Sequence, residues 1–321
     1  MRSLFSLLSP AGARARLTVL IFHRVQPQPD PLFPEEMHAA RFDALLGWMK
    51  SWFQVLPLDE AARRLAEGSL PARAAVLTFD DGYADNHEVA LPLLQRHGLP
   101  CTFFIATSFL DGGRMWNDTL IESLRLSRLP ELDLRGLADA QGIDLGHHVL
   151  PAELAARSAL LHSLIPRVKY LAPQARRDCV TAIAARAEVT PPDDLMMSSA
   201  QVRALRAAGM QIGAHTQTHP MLASLTQAEA ADEIAGSRDL LQALLGERVG
   251  LFAYPNGKPG KDYLPEVHPA LVRELGFDAA VSTTWGASRH GDDLFQIRRF
   301  TPWDHGRTRF GLRLLRQLAA G

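Results

Sequence analysis

The order of apolar runs and helical segments predicts an α/β fold. Short apolar runs at residues 17–22, 74–79 and 101–107 have the length and composition of buried strands. Helix alternates with strand at 199–214: SAQVRALRAAG opens on Ser199, carries Val202 and Leu205 and stops at Gly209, and residues 210–214 then read as a short strand. The residues richest in chemistry, Asp80, Asp81, His215 and His219, stand just past such runs. That is where α/β enzymes gather their catalytic groups.

In chain order, residues 17–22 (LTVLIF) form the first expected strand, with His23 at its tip. The run 74–79 leads into Asp80-Asp81-Gly82 within the segment TFDDGYADN, residues 78–86. Neighbours on a regular strand point to opposite faces. Both carboxylates therefore reach one site only if the chain turns there, and Gly82 permits the turn. Two like charges this close call for a cation or a proton, so the pair points to a metal or a shifted pKa. A solvated DDG turn with an Asp helix cap is the plain alternative. Residues 101–107 (CTFFIAT) then read as a buried strand.

Residues 112–197, rich in Leu, Ala and Arg, show helical spacing at 120–126, 152–164 and 175–187, and Pro191-Pro192 ends the pattern. Trp116-Asn117-Asp118 at their start suits either a sugar contact or a packing anchor. His147-His148 is another histidine pair, but adjacent side chains splay apart and the pair reads as surface.

Residues 212–220 (IGAHTQTHP) set His215 and His219 four apart, so both imidazoles can reach one ion from a helical turn or a curved loop. A bare HxxxH is commonly two surface histidines on a long helix. The strand before this one and Pro220 after it argue against that setting. Imidazole and carboxylate ligands together suit Zn²⁺, with Co²⁺, Ni²⁺, Fe²⁺ and Mn²⁺ as alternatives. Three protein ligands leave a position for water, as catalytic sites do.

TFDDGYADN, then HTQTH at 215–219, then FAYPNG at 252–257 make the chain similar to the polysaccharide deacetylase family, over roughly residues 17–120 and 196–305. This is also called the NodB-homology or carbohydrate esterase family 4 domain. The resemblance implies a distorted (β/α)7 TIM-like barrel, with 112–197 as a helical insertion beside or over its mouth. By position it makes Asp80 the general base and Asp81, His215 and His219 the metal ligands. It puts an oxyanion-stabilising backbone N–H in the third motif, where Asn256 stands at the usual Tyr position and Ala253 replaces the usual Arg. Arg299 in FQIRRF is the candidate for the missing cation, Arg298 the alternative, and a charged edge strand the plain reading. Relatives commonly carry a late His on a strand end as the acid for the leaving amine. His305 in TPWDHG lacks that strand, so His23 is preferred, as in the branch acting on poly-N-acetylglucosamine. A hydrogen-bonded core histidine is the plain reading of His23.

With 47% apolar and 21% charged residues, the 321-residue chain has the composition of a globular protein, long enough for one such domain over 1–321 with its insertion. A net charge of −1 offers no field to gather nucleic acid, and none is expected as a partner. The ends are basic. Residues 1–24 hold four arginines and no acid, and after Thr301 only Asp304 faces Arg307, Arg309, Arg313 and Arg316. Residues 306–321 read as a basic amphipathic helix that either packs on the barrel or attaches peripherally to an anionic inner membrane. Cys101 and Cys179 are expected as free thiols. The apolar stretch 4–8 is too short for a signal peptide, and no run reaches membrane-spanning length, so a cytoplasmic location is expected.

Together these readings describe a metal-dependent hydrolase of linear amide bonds, removing N-acetyl groups from a sugar in an exopolysaccharide or its lipid-linked precursor. One alternative is a hydrolase of a non-sugar amide on the same fold, for which FAYPNG leaves room. Another is an inactive carbohydrate-binding homologue, which has no need of Asp80, Asp81, His215 and His219 together.

Overall fold

A computed structural model describes residues 1–320. Parallel strands Arg16–Phe22, Ala74–Phe79, Thr102–Ile105, Gln211–Ala214, Leu251–Ala253 and Ala279–Val281 lie side by side in that order. A seventh segment closes the circle. Ile297 N–H donates to Ala280 O at 3.0 Å and Phe300 N–H to Val19 O at 2.8 Å, so residues 297–300 join the last strand to the first. This is the (β/α)7 barrel expected from the sequence. Its distortion lies at the closure, where isolated parallel bridges replace a full ladder.

Alternation explains why the strands read as unbroken apolar runs. Leu17, Val19, Val76, Phe104, Val281 and Ile297 belong to one buried cluster, which the helix Leu58–Ala66 joins. Leu20, Phe22, Leu77, Phe79 and Phe103 belong to another, shared with helices Ala39–Trp52, Leu91–His97, Ser199–Ala207 and Gln227–Leu245. The helix before the histidines begins with a capping box. Ser198 accepts from Gln201 N–H, and the Gln201 side chain accepts from Ser198 N–H. Gly213 follows in the strand because a Cβ there would lie 2.5 Å from the Phe104 ring and 3.0 Å from Leu251 O.

The chain divides into two compact units. The barrel comprises Met1–Gln28, Met37–Asp111 and the residues from Met196 onward, and the second unit comprises Pro29–Glu36 with Gly112–Leu195. In the second unit, helices Trp116–Leu126, Leu154–Lys169 and Pro173–Arg186 enclose a separate core that includes Leu120, Leu124, Leu161 and Ile183. An antiparallel pair, Glu131–Asp133 with His147–Val149, also belongs to it, although helical spacing alone gave no sign of strands. His147 lies 3.1 Å from Glu131 and His148 2.7 Å from Leu145 O, so the two rings take separate partners. Trp116 packs on this core with the Arg176 guanidinium 5.2 Å from its ring.

Both cysteines are buried and free. The C-terminal helix Arg307–Ala320 sinks Phe310, Leu314 and Leu318 into the barrel's outer core. Among the described residues no helix is long and apolar enough to cross a membrane.

Within the second unit, buried Arg157 donates to the carbonyls of Pro151 at 2.7 Å, Leu124 at 2.5 Å and Ser127 at 2.8 Å. Arg157→Ala orphans buried acceptors at about 1–3 kcal/mol each. The expected result is a lower unfolding midpoint in a thermal melt, and an unchanged midpoint would show that these bonds contribute nothing.

Candidate active site

The strand Ala74–Phe79 delivers two carboxylates to one end of the barrel by turning earlier than its glycine suggests. Asp80 N–H still donates to Phe22 O at 2.9 Å, in line with the sheet. Asp81 then takes φ 77° and Gly82 φ 92°, so the left-handed turn begins at Asp81 itself. Aspartate tolerates that conformation better than most residues. The turn is fixed by Ala106 N–H to Asp81 O at 3.2 Å and Met197 N–H to Gly82 O at 2.9 Å.

The histidines sit on a curved loop after the strand Gln211–Ala214, with left-handed φ at Thr216 (63°) and His219 (56°). Glu233, reaching in from the helix Gln227–Leu245, accepts the N–H groups of Gln217 and Thr218 at 2.9 Å and the Thr218 hydroxyl at 2.6 Å. Thr216 Oγ1 accepts His219 N–H at 3.1 Å. His215 Nδ1 lies 2.7 Å from Ala253 O, which fixes that nitrogen as the donor and leaves Nε2 as a lone-pair donor toward Asp81.

One donor atom from each of Asp81, His215 and His219 lies within 4.8 Å of the others. Both Nε2 atoms are 3.4 Å from Asp81 Oδ1, a buried oxygen with no hydrogen-bond partner. An orphaned carboxylate oxygen facing two imidazole nitrogens fits a divalent cation, whose charge would satisfy all three. The electrostatics agree. Burial pushes His219 down to about 4, with the neighbouring His215 charge adding to it, so the ring is a neutral ligand at physiological pH. Burial would raise the Asp81 carboxyl, but His215, His219 and His23 hold it well below the usual carboxylate range. His215 is raised despite its burial, because Asp80 and Asp81 both favour its protonated form.

Asp80 has a different partner. Arg299 Nη1 and Nη2 each donate to one of its oxygens at 2.7 Å, a bidentate pair with both side chains buried. Arg299 is itself aimed by Nε to Ser282 O at 3.0 Å and by Nη1 to Thr78 Oγ1 at 3.3 Å. Burial alone would raise Asp80, yet the Arg299 guanidinium, followed by His215, brings it below the ordinary carboxylate value. Arg298 points elsewhere, its backbone N–H on Ser288 Oγ at 3.0 Å and its guanidinium beside Gly286.

His23 is exposed immediately after the strand Arg16–Phe22, and its charge acts on Asp80, Asp81 and His219. Two residues with no role assigned from sequence hold its segment. Asn86 Nδ2 donates to His23 O at 2.9 Å, and Asp85 accepts from Val25 N–H at 3.0 Å and Arg24 Nε at 2.7 Å. Both lie within TFDDGYADN, so their place in that segment was the available signal. Glu233 offered none, being remote in sequence on a helix. Asn256 follows the strand Leu251–Ala253 with φ 59°, and Thr283 Oγ1 donates to its carbonyl at 2.9 Å. His305 is exposed in the loop before the C-terminal helix.

The family model for polysaccharide deacetylase matches residues 67–148 and 179–280. A provisionally assigned polysaccharide deacetylase of Bacillus subtilis (strain 168), YxkH, is 20% identical over 288 residues, covering 89% of this chain and 71% of the relative. Among solved structures, IcaB from Ammonifex degensii superposes with a TM-score of 0.59 at 19% identity, over 94% of this chain and 98% of that one. The Streptococcus pyogenes deacetylase PplD, solved in complex with acetate, gives 0.58 at 17% identity, over 89% and 92%. At these identities the structural likenesses bear on fold, and the barrel is common to them.

Removing the guanidinium would strand a buried carboxylate. Arg299→Ala is expected to cost about 3–5 kcal/mol in denaturant unfolding. Arg299→Lys should recover only part, since one ammonium cannot form two parallel bonds. Wild-type stability in Arg299→Ala would contradict the pairing.

Proposed function

The chain belongs to the polysaccharide deacetylase family, and from that premise we propose that it hydrolyses the N-acetyl amide of a sugar in an exopolysaccharide or its lipid-linked precursor. The observation that carries the reading is the Asp81–His215–His219 triad, its first two members buried, beside a second carboxylate, Asp80, that Arg299 keeps ionised. One carboxylate is thereby available as ligand and the other as base. The Streptococcus pyogenes relative is solved in complex with acetate, the carboxylate product that this reaction would release.

Asp81, His215 and His219 would hold the ion, Zn²⁺ being the best match to two imidazoles and a carboxylate. Bound there, it supplies Lewis acidity toward the acyl carbonyl and a more acidic water. Asp80 accepts a proton from the attacking water as the new C–O bond forms. Arg299 keeps Asp80 deprotonated and fixes both of its oxygens. The Asn256 backbone N–H donates to the developing oxyanion. His23 hands a proton to the amine nitrogen as the C–N bond breaks, giving acetate and a free amino sugar. We assign this work to the cytoplasmic face of the inner membrane, on the support of the arginine-rich chain ends.

Acetate release from N-acetylglucosamine oligomers tests the roles. Asp80→Asn should lower turnover by about 10²–10⁴-fold while the ion is retained. His23→Ala should slow release strongly and His305→Ala leave it near wild type. The opposite order would transfer proton delivery to His305, and an active Asp80→Asn protein would remove the base from this scheme.

A further inference from the structure

The C-terminal helix Arg307–Ala320 satisfies its main apolar face on the barrel, with Phe310, Leu314 and Leu318 fully buried. Leu312 lies on the other side of this helix, 58% exposed. Arg309 and Arg316, three residues before and four after, share its face. Beside it packs the N-terminal helix Arg2–Leu8. Phe5 anchors that helix, its ring 5.6 Å from Trp52 and 4.7 Å from Phe53, and Trp52 lies 6.1 Å from Phe310. Its outward residues are again leucines, Leu4 at 50% and Leu7 at 77% exposure. Two adjoining helices thus each carry an apolar stripe inward and further leucines outward, set among arginines.

The charge on these helices is unbalanced. The helix itself carries no acid, and Asp304 just before it is buried and engaged by Arg309 at 3.2 Å and Arg313 at 3.1 Å. Arg2, Arg307 and Arg316 form no ion pair among the described residues. Arg307 instead lies over the Trp52 ring at 5.4 Å. Where the two helices meet the end of the helix Ala39–Trp52 lies a pocket of about 480 Å³ lined by Met1, Arg2, Ser51, Trp52, Arg307 and Thr308. Its lining includes two arginines beside the side chains of Trp52 and Met1, a mixture of cationic and apolar residues that suits a phosphate ester carrying hydrocarbon.

We propose that the paired terminal helices dock the protein peripherally on an anionic phospholipid surface. Leu4, Leu7 and Leu312 enter the acyl boundary, and the surrounding arginines meet headgroup phosphates. A nucleic acid would match the arginines but leave the leucines in water. The membrane interface is the partner that satisfies both. This surface deepens the membrane placement proposed above and takes no part in the amide-hydrolysing chemistry, so docking can fail with deacetylation intact and deacetylation can fail with docking intact.

The test is sedimentation of the full chain with vesicles of phosphatidylglycerol mixed with phosphatidylcholine, against phosphatidylcholine alone. Binding should be about tenfold or more tighter on the anionic vesicles and weaken as salt is raised. Leu7→Glu with Leu312→Glu, and separately Arg2→Glu with Arg316→Glu, should each lower it about tenfold. Neither pair should shift the thermal midpoint or acetate release from a soluble oligosaccharide. Equal partition of the unsubstituted protein onto both vesicles, or binding undiminished by one of the double substitutions, overturns the proposal.

Discussion

Burying two carboxylates on adjacent residues is the electrostatic problem around which this barrel end is organised. Desolvation disfavours the charge on each of Asp80 and Asp81, and like charges on adjacent residues add to the cost in general. The two are neutralised by different means. Asp80 receives a full positive charge through two parallel bonds from Arg299, an arginine with no exposure of its own. Asp81 receives only imidazole nitrogens at 3.4 Å, leaving an oxygen without a hydrogen bond. That asymmetry separates a fully paired carboxylate from one that keeps an oxygen without a hydrogen bond, facing two imidazoles.

The same problem accounts for the backbone. A regular strand would aim Asp80 and Asp81 apart, so the chain turns left-handed at Asp81. Thr216, His219 and Asn256 adopt the same sparsely populated conformation on two other loops. Such positions persist where neighbours over-determine them, and here the neighbours are identifiable. Glu233 ties the histidine loop, Ala253 O orients His215, Thr283 holds Asn256, and Asp85 with Asn86 secures the segment carrying His23. The barrel supplies the platform, since parallel strands end together and bring loops that are distant in sequence to one rim.

What the sequence reveals follows the range of each interaction. Strands buried on both faces leave continuous apolar runs, so residues 17–22 and 74–79 are readable, as is the helix before residue 211 from its serine and glycine. Ligand-type residues at strand ends are equally visible, because Asp81, His215 and His219 need only their local spacing to be noticed. Closure of the barrel is not visible. FQIRRF reads as a charged edge strand, and that it bridges the last strand to the first rests on a few long-range backbone bonds. The pairing of Arg299 with Asp80 spans most of the barrel's sequence, so the arginine read as the candidate for the third motif's missing cation is found holding a carboxylate. The short pair formed by Glu131–Asp133 and His147–Val149 is too brief to leave a pattern.

The account stands on the Asp81–His215–His219 cluster being a metal site that turnover requires. Chelator-treated protein titrated with Zn²⁺ or Co²⁺, with bound ion and acetate release followed together, measures this most directly. The account predicts one ion held per chain, acetate release rising in step with occupancy, and loss of both in His215→Ala. Undiminished release from metal-free protein, or no retention of either ion at neutral pH, would contradict it.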